Sequence, residues 1–157
     1  NQHAQPDNSS WTPYIADREE CLALYGGANP PKDISGTDLD ICRVHWGGDW
    51  RMPTREELEE LNANCKKFYE IHDGVFGLRM VGPNGKSIFL PAAGYRSNKR
   101  CFNAGIMGLY WTSDGGRGGY GFEAGVPMAV NYFIKDYGAL PYQAATFYGF
   151  SVRAVCP

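Results

Sequence analysis

The sequence predicts an α+β domain in which two or three short helices pack on antiparallel sheets with long loops. Three observations carry that expectation. Apolar residues recur at helical spacing only in the first part of the chain, and short β-rich runs bounded by glycine and proline clusters follow after residue 75. The length, 157 residues, suffices for one sizeable core without support from disulfides or a metal.

Residues 1–15 are polar without periodicity and read as an N-terminal arm or linker remnant, ahead of a domain over 16–157. Asp17 to Tyr25 is predicted as a brief helix stopped by Gly26-Gly27. A second helix is placed from about Asp38 to His45, capped by Thr37, because acidic residues follow that threonine and Leu39, Cys42 and Trp46 share one face. The block Trp46-Gly47-Gly48-Asp49-Trp50-Arg51-Met52-Pro53-Thr54 reads as framework, with glycines to turn the backbone and two tryptophans to bury. Thr54-Arg55-Glu56-Glu57 is a capping box opening a helix from about Arg55 to Lys66. Its stripe of Leu58, Leu61 and Cys65 is expected on a sheet, with Glu56, Glu59 and Glu60 in water.

Gly77–Val81 and Ser87–Leu90 flank Gly82-Pro83-Asn84-Gly85, a four-residue hairpin loop. Further strands are predicted at Leu109–Ser113, Ala129–Lys135 and Phe150–Val155, the last from its period-two alternation. The glycine-dense segment Asp114 to Gly121 reads as a surface loop. Tyr137 to Tyr148 shows no pattern and is expected as loop, its tyrosines mixed with Gly, Ala and Thr in the manner of a recognition surface.

Composition excludes several classes. With 20 glycines, 10 prolines, 14% aromatics and 20% charged residues, the chain is globular and loop-rich rather than disordered. Net charge is −2 and no Lys/Arg run exceeds a pair, so neither nucleic acid nor anionic lipid is expected as a partner. No segment approaches the roughly 18 apolar residues of a membrane span. A chain opening on Asn1 is read as a processed or excised product. The five cysteines, Cys21, Cys42, Cys65, Cys101 and Cys156, form no C-x-x-C, which disfavours a zinc knuckle or thioredoxin-like site. An odd number leaves a thiol over; buried apolar roles, one or two disulfides of an exported protein, and a reactive thiol stay open.

Chemistry has no sequence signature here. His3, His45 and His72 lack metal-ligand spacing, no G-x-S-x-G occurs, and Gly85-Lys86-Ser87 fails as a phosphate loop because Met80 stands where a glycine is required. No catalytic residue, metal ligand set or cofactor is assigned. Asp33, Asp38 and Asp40, or Asn98, Asn103 and Asp114, leave a structural calcium open as an alternative, without the regular spacing of a known loop.

The run Asp33-Ile34-Ser35-Gly36-Thr37, the Trp46-to-Thr54 block with Glu57 and Leu58 behind it, Gly82-Pro83-Asn84-Gly85 leading to Ile88-Phe89-Leu90-Pro91-Ala92-Ala93-Gly94-Tyr95-Arg96, Tyr110-Trp111-Thr112-Ser113, and Gly149-Phe150-Ser151-Val152-Arg153 resemble the Fibrobacter succinogenes major paralogous domain family. These are surface and secreted modules of Bacteroidetes. The resemblance spans about residues 33–156 and implies a C-type-lectin-like fold, related to formylglycine-generating-enzyme-like domains and to the variable proteins of diversity-generating retroelements. In those variable proteins the segment before the closing block carries the ligand-binding face. By position this implies Tyr120, Phe122, Val130, Asn131, Phe133, Tyr137, Tyr142, Phe147 and Tyr148 as ligand-binding residues. Trp46, Trp50, Arg51, Pro53, Trp111, Gly149, Phe150 and Arg153 are implied as framework. Cys42, Cys101 and Cys156 lie outside the family's pattern, and no cysteine site of the sulfatase-activating enzymes can be matched.

The expectation is therefore a non-catalytic, extracellular or cell-surface domain that binds a protein or glycan. A structural module of a surface, pilus or phage assembly is the first alternative, and an enzyme of the formylglycine-generating kind the second.

Overall fold

A buried carboxylate starts the first described helix. The computed structural model describes residues 32–97, 100–115, 128–135, 138–145 and 148–157. The predicted helix at Asp17–Tyr25 and the predicted loop beyond Gly115 lie outside them. Helix α1 spans Ile41–Trp46 with Asp40, not Thr37, as its N-cap. Thr37 belongs to the preceding turn, where its hydroxyl donates to the Ile34 carbonyl at 2.6 Å. Asp40 is fully buried, and its Oδ1 accepts from the N–H groups of Cys42 at 2.9 Å, Arg43 at 3.3 Å and Met52 at 3.1 Å. Its Oδ2 accepts from Gly36 and Met52, both at 2.9 Å. One side chain thus ties the turn, the helix and the segment at Met52 together.

The expected burial of Trp46 and Trp50 is corrected by the structure. They are 43% and 39% exposed. Gly47 and Gly48 both adopt left-handed backbone, φ 64° and 57°, and bring the two indoles edge to face at 5.5 Å on the surface. Met52 and Pro53 take the interior places instead.

Helix α2 spans Arg55–Asn64 and carries the predicted capping box: the Thr54 hydroxyl accepts from Glu57 N–H, and the Glu57 carboxylate accepts from Thr54 N–H. Arg51 adds a two-pronged ion pair, Nη1 to Glu57 Oε2 at 2.8 Å and Nη2 to Oε1 at 2.6 Å, and the Asp114 carboxylate accepts from Arg55 N–H. The hydrogen bonds from Arg51, first among the causes, pull the Glu57 carboxyl from 4.5 to about 2. A carboxyl held lower in the folded chain stabilises fully above its unfolded value, and that contribution disappears as pH falls toward about 2. Urea unfolding should therefore lose about 1 kcal/mol from this group between pH 5 and pH 2, a small value because solvent screens a half-exposed pair. Glu57→Gln should remove that part of the acid sensitivity; an unchanged pH profile would show the fork to be inert.

The helix ends two residues before its predicted limit. Cys65 turns to extended backbone, φ −98° and ψ 144°, and strand β1, Lys66–His72, begins. This strand is absent from the sequence reading because its exposed residues show no clean alternation. An Asp73-Gly74 turn with φ 49° and 79° joins it to β2, Val75–Val81, in the manner of a two-residue hairpin loop. The predicted hairpin follows: β2 pairs with β3, Ser87–Pro91, antiparallel. Leu78, Met80 and Leu90 from this sheet, Leu58 of α2, and Tyr110 form the first core cluster. On the other face Gly77 leaves room for the Phe89 ring, whose Cζ would lie 2.6 Å from an added Cβ.

A short hairpin, β4 at Tyr95–Ser97 and β5 at Arg100–Phe102, leads to β6, Gly108–Gly115. Strand β6 pairs with β7, Met128–Lys135, and β7 with β8, Gly138–Ala145, both antiparallel. Helix α2 rests on this sheet. The run predicted as unpatterned loop is thus largely a strand. Pro141 sits in it without breaking pairing because β8 is an edge, where a missing N–H costs no ladder bond. The closing segment differs in the opposite direction: Gly149, Ser151 and Val155 each make an isolated bridge, to Arg96, Tyr110 and Arg51, so the expected continuous strand is a strap with three successive partners. It contributes Val152 to a second cluster with Cys42 and Met52, against which Ile34, Ile41, Trp111 and Ala154 pack. The domain is a small α+β unit with antiparallel sheets and few helices, and no helix among the described residues is long and apolar enough to cross a membrane.

Candidate functional site

The strap and the β4–β5 hairpin meet in a group of half-exposed rings. Gly149 and Arg96 exchange both backbone hydrogen bonds, 2.7 and 2.9 Å. Only glycine permits this approach, since a Cβ at 149 would stand 2.9 Å from Arg96 Cβ. Tyr148 and Phe150, on either side of Gly149, bring their rings 5.8 Å apart and within 4° of parallel. Both meet Tyr95 edge-on, at 5.9 and 6.0 Å. Phe102, opposite Tyr95 in the hairpin register, stacks on it at 5.5 Å, and Trp111 lies 4.5 Å from Phe150 at the other end. Phe102 is 40% exposed, and the other four rings are half-buried. Register places Arg100, which is exposed, opposite Ser97, on the pleat side shared by Tyr95 and Phe102.

Such a surface offers flat apolar faces, a tyrosine hydroxyl at Tyr95 and Tyr148, and one cation at its rim. These suit stacking on a sugar ring or an apolar side chain combined with hydrogen bonding. They provide no nucleophile with an adjoining base.

Of the ligand-binding residues implied by the resemblance, Tyr148 lies in the ring group. Asn131 and Tyr142 face each other across β7 and β8 and are in register with Trp111, while Phe133 pairs with Leu140 and Leu109, and Val130 with Gln143. Tyr120, Phe122, Tyr137 and Phe147 lie outside the described residues. Among the framework residues, Trp111, Gly149 and Phe150 hold the site, Arg51 holds α2, Pro53 is fully buried, and Arg153 is exposed. Tyr95 and Phe102 were not among the predicted binding residues. Their signal was present in the alternation Tyr95, Ser97 and Arg100, Phe102 about a two-residue centre, which sets both aromatics on one side of a hairpin.

Among the described residues, two further groups with reactive side chains are held in the interior. Cys42, Cys65, Cys101 and Cys156 are free thiols; burial, reinforced by Asp40, pushes the Cys42 thiol up to about 12, which suppresses its reactivity. Burial likewise raises the Tyr110 phenol, with Arg153 acting in the opposite direction, and its hydroxyl donates to the Pro91 carbonyl at 2.7 Å. For the calcium alternative, Asp40 and Asp114 both spend carboxylate oxygens on backbone N–H groups, and no group of three or more His, Cys, Asp or Glu converges among the described residues. Comparison with protein-family models, curated proteins and solved structures finds no match to this chain.

Proposed function

We propose that this domain is a non-catalytic ligand-binding module of the receptor or adhesin kind, displayed outside the cell, whose ligand is a protein or a glycan. The observation that carries this reading is the ring group of Tyr95, Phe102, Tyr148 and Phe150, presented on a backbone junction that the Arg96–Gly149 bridge makes rigid. Fixed aromatic rings lose little conformational freedom on binding, so their contact area converts efficiently into affinity. The family resemblance supplies the finer reading: a C-type-lectin-like fold whose implied binding residues include Tyr148 of this ring group and Val130, Asn131, Phe133 and Tyr142 of β7 and β8.

An array of glycans and surface proteins probed with the intact chain tests this reading. Phe102→Ala and Tyr148→Ala should each weaken the captured ligand about 10- to 100-fold, the range of a central aromatic anchor, while shifting the melting temperature by no more than about 4 °C. Binding retained in both variants, or a collapse of thermal stability in either, would remove the site from consideration.

A further inference from the structure

The five rings come from stretches of chain without a single acidic side chain. No Asp or Glu occurs from Gly74 to Ser113, which supply Tyr95, Phe102 and Trp111, or from Tyr137 to Pro157, which supply Tyr148 and Phe150, although the sequence holds 17 acidic residues. Strands β7 and β8 add none. The cations of these stretches are left uncompensated. Arg96, Arg100 and Arg153 are exposed, and none of them joins an ion pair among the described residues. Arg100 shares the pleat side of Tyr95 and Phe102, whereas Arg96, opposite Cys101, lies on the other. It stands two residues before Phe102, about 7 Å along the strand, and faces the hydroxyl-bearing Ser97 across the hairpin. Phe102 is the outermost of the five rings. The strands that build this surface thus supply an apolar face, hydroxyls and a guanidinium, but no carboxylate.

We infer that the ligand of the ring group is an acidic glycan built from hexuronic acid, with one sugar ring stacked on Phe102 and its carboxylate held by Arg100. The inference rests on the reading of the ring group as the binding surface and gives that surface its ligand class. A guanidinium only donates hydrogen bonds, and its planar fork matches the two oxygens of a carboxylate. A neutral sugar offers hydroxyls alone and leaves that charge without a counterpart. A hexuronate in its chair form presents a flat face of C–H groups and carries its carboxylate equatorially on C5, in the plane of the ring. Stacking on Phe102 therefore leaves the carboxylate at the edge of the contact, within the span of the arginine side chain two residues along the strand. An acidic peptide has to bring its apolar face and its carboxylate on separate side chains, and ordering both costs more conformational freedom than placing one rigid ring.

Isothermal titration calorimetry of the intact chain with oligomers of galacturonate, glucuronate and mannuronate, each beside its carboxyl-reduced counterpart, tests this assignment. At least one uronate should bind, and reducing its carboxylates to primary alcohols should weaken it about 10-fold or more. Arg100→Gln should weaken the same uronate about 10- to 100-fold, and Arg100→Lys, which keeps the charge but loses the fork, should weaken it less. Lys86→Gln, an equal change of net charge at the β2–β3 turn, should leave it within about twofold. Binding of no uronate, equal binding of the reduced oligomer, indifference to Arg100→Gln, or an oligoglutamate peptide that binds as tightly as the uronate would each overturn the inference. A neutral glycan or a protein captured on the array and weakened by Phe102→Ala but not by Arg100→Gln would overturn the ligand class and leave the ring group as the binding surface. Uronate binding that Phe102→Ala does not alter would instead remove the ring group itself.

Discussion

Asp40→Ala is expected to destabilise the domain by about 4 kcal/mol, measured by urea unfolding at neutral pH. The substitution strips the acceptor from four N–H groups, those of Gly36, Cys42, Arg43 and Met52. An unsatisfied buried donor costs about 1 to 3 kcal/mol, and loss of an N-cap about 1 kcal/mol. The cost does not reach the full sum because Gly36 and Arg43 can turn to water. Asp40→Asn keeps an acceptor oxygen and the side chain's size, and should lose about half as much. Since Met52 and Cys42 belong to the second core cluster, the alanine variant should also change the near-ultraviolet signal of Trp111, which packs there. A loss below about 1 kcal/mol would mean that the carboxylate is dispensable and that apolar packing alone sets this corner.

Gly94→Ala is expected to be of similar size, about 4 kcal/mol, for a different reason. Gly94 has φ 70°, and a Cβ there would stand 2.1 Å from the Phe102 carbonyl oxygen, 2.7 Å from Ala104 N and 2.9 Å from Asn103 C. All three atoms are backbone, so no side-chain rotation relieves the overlap. The left-handed conformation alone costs an L-residue about 1 to 2 kcal/mol, and forced displacement in a packed region adds about 1 to 3 kcal/mol. Gly85→Ala provides the comparison: φ is 75° but nothing lies within 4 Å of the added atom, so only the conformational part, about 1 to 2 kcal/mol, should appear. Because Gly94 immediately precedes Tyr95 and its Cβ would strike the strand bearing Phe102, the variant should lose binding by the ring group as well as stability. Equal destabilisation at both glycines would show that the close approach at Gly94 is easily relaxed.

Local interactions account for what was legible beforehand. The capping box of Thr54 and Glu57 closes over three residues, and the hairpin at Gly82–Gly85 over four, so the residues that specify each feature stand beside one another in the chain. Strands β6 and β7 were legible from their runs of aromatic and β-branched residues. Strand β1 was hidden because an exposed edge need not alternate, and β8 because Gly138, Ala139 and Pro141 are poor strand residues that an edge position tolerates. The closing segment misled in the reverse sense: its alternation is real, but each bridging residue serves a different partner.

The candidate site divides along the same line. Tyr148, Phe150 and Trp111 were singled out from the order of blocks along the chain, yet nothing local announces that Tyr95 and Phe102 stand with them. Their meeting depends on the Arg96–Gly149 bridge, a contact between residues 53 positions apart. Likewise the two tryptophans of the glycine block read as core by composition, and only the left-handed turn at Gly47 and Gly48 sends them outward.

By itself, then, the amino-acid order determined where α2 starts, where the β2–β3 hairpin turns and that the chain is an α+β unit, because capping, turn and alternation energies act between near neighbours. Only the tertiary structure decided which aromatics are covered, which strand is left as an edge and which rings share a surface, because those outcomes depend on close approaches between distant backbone segments that no short window of sequence contains.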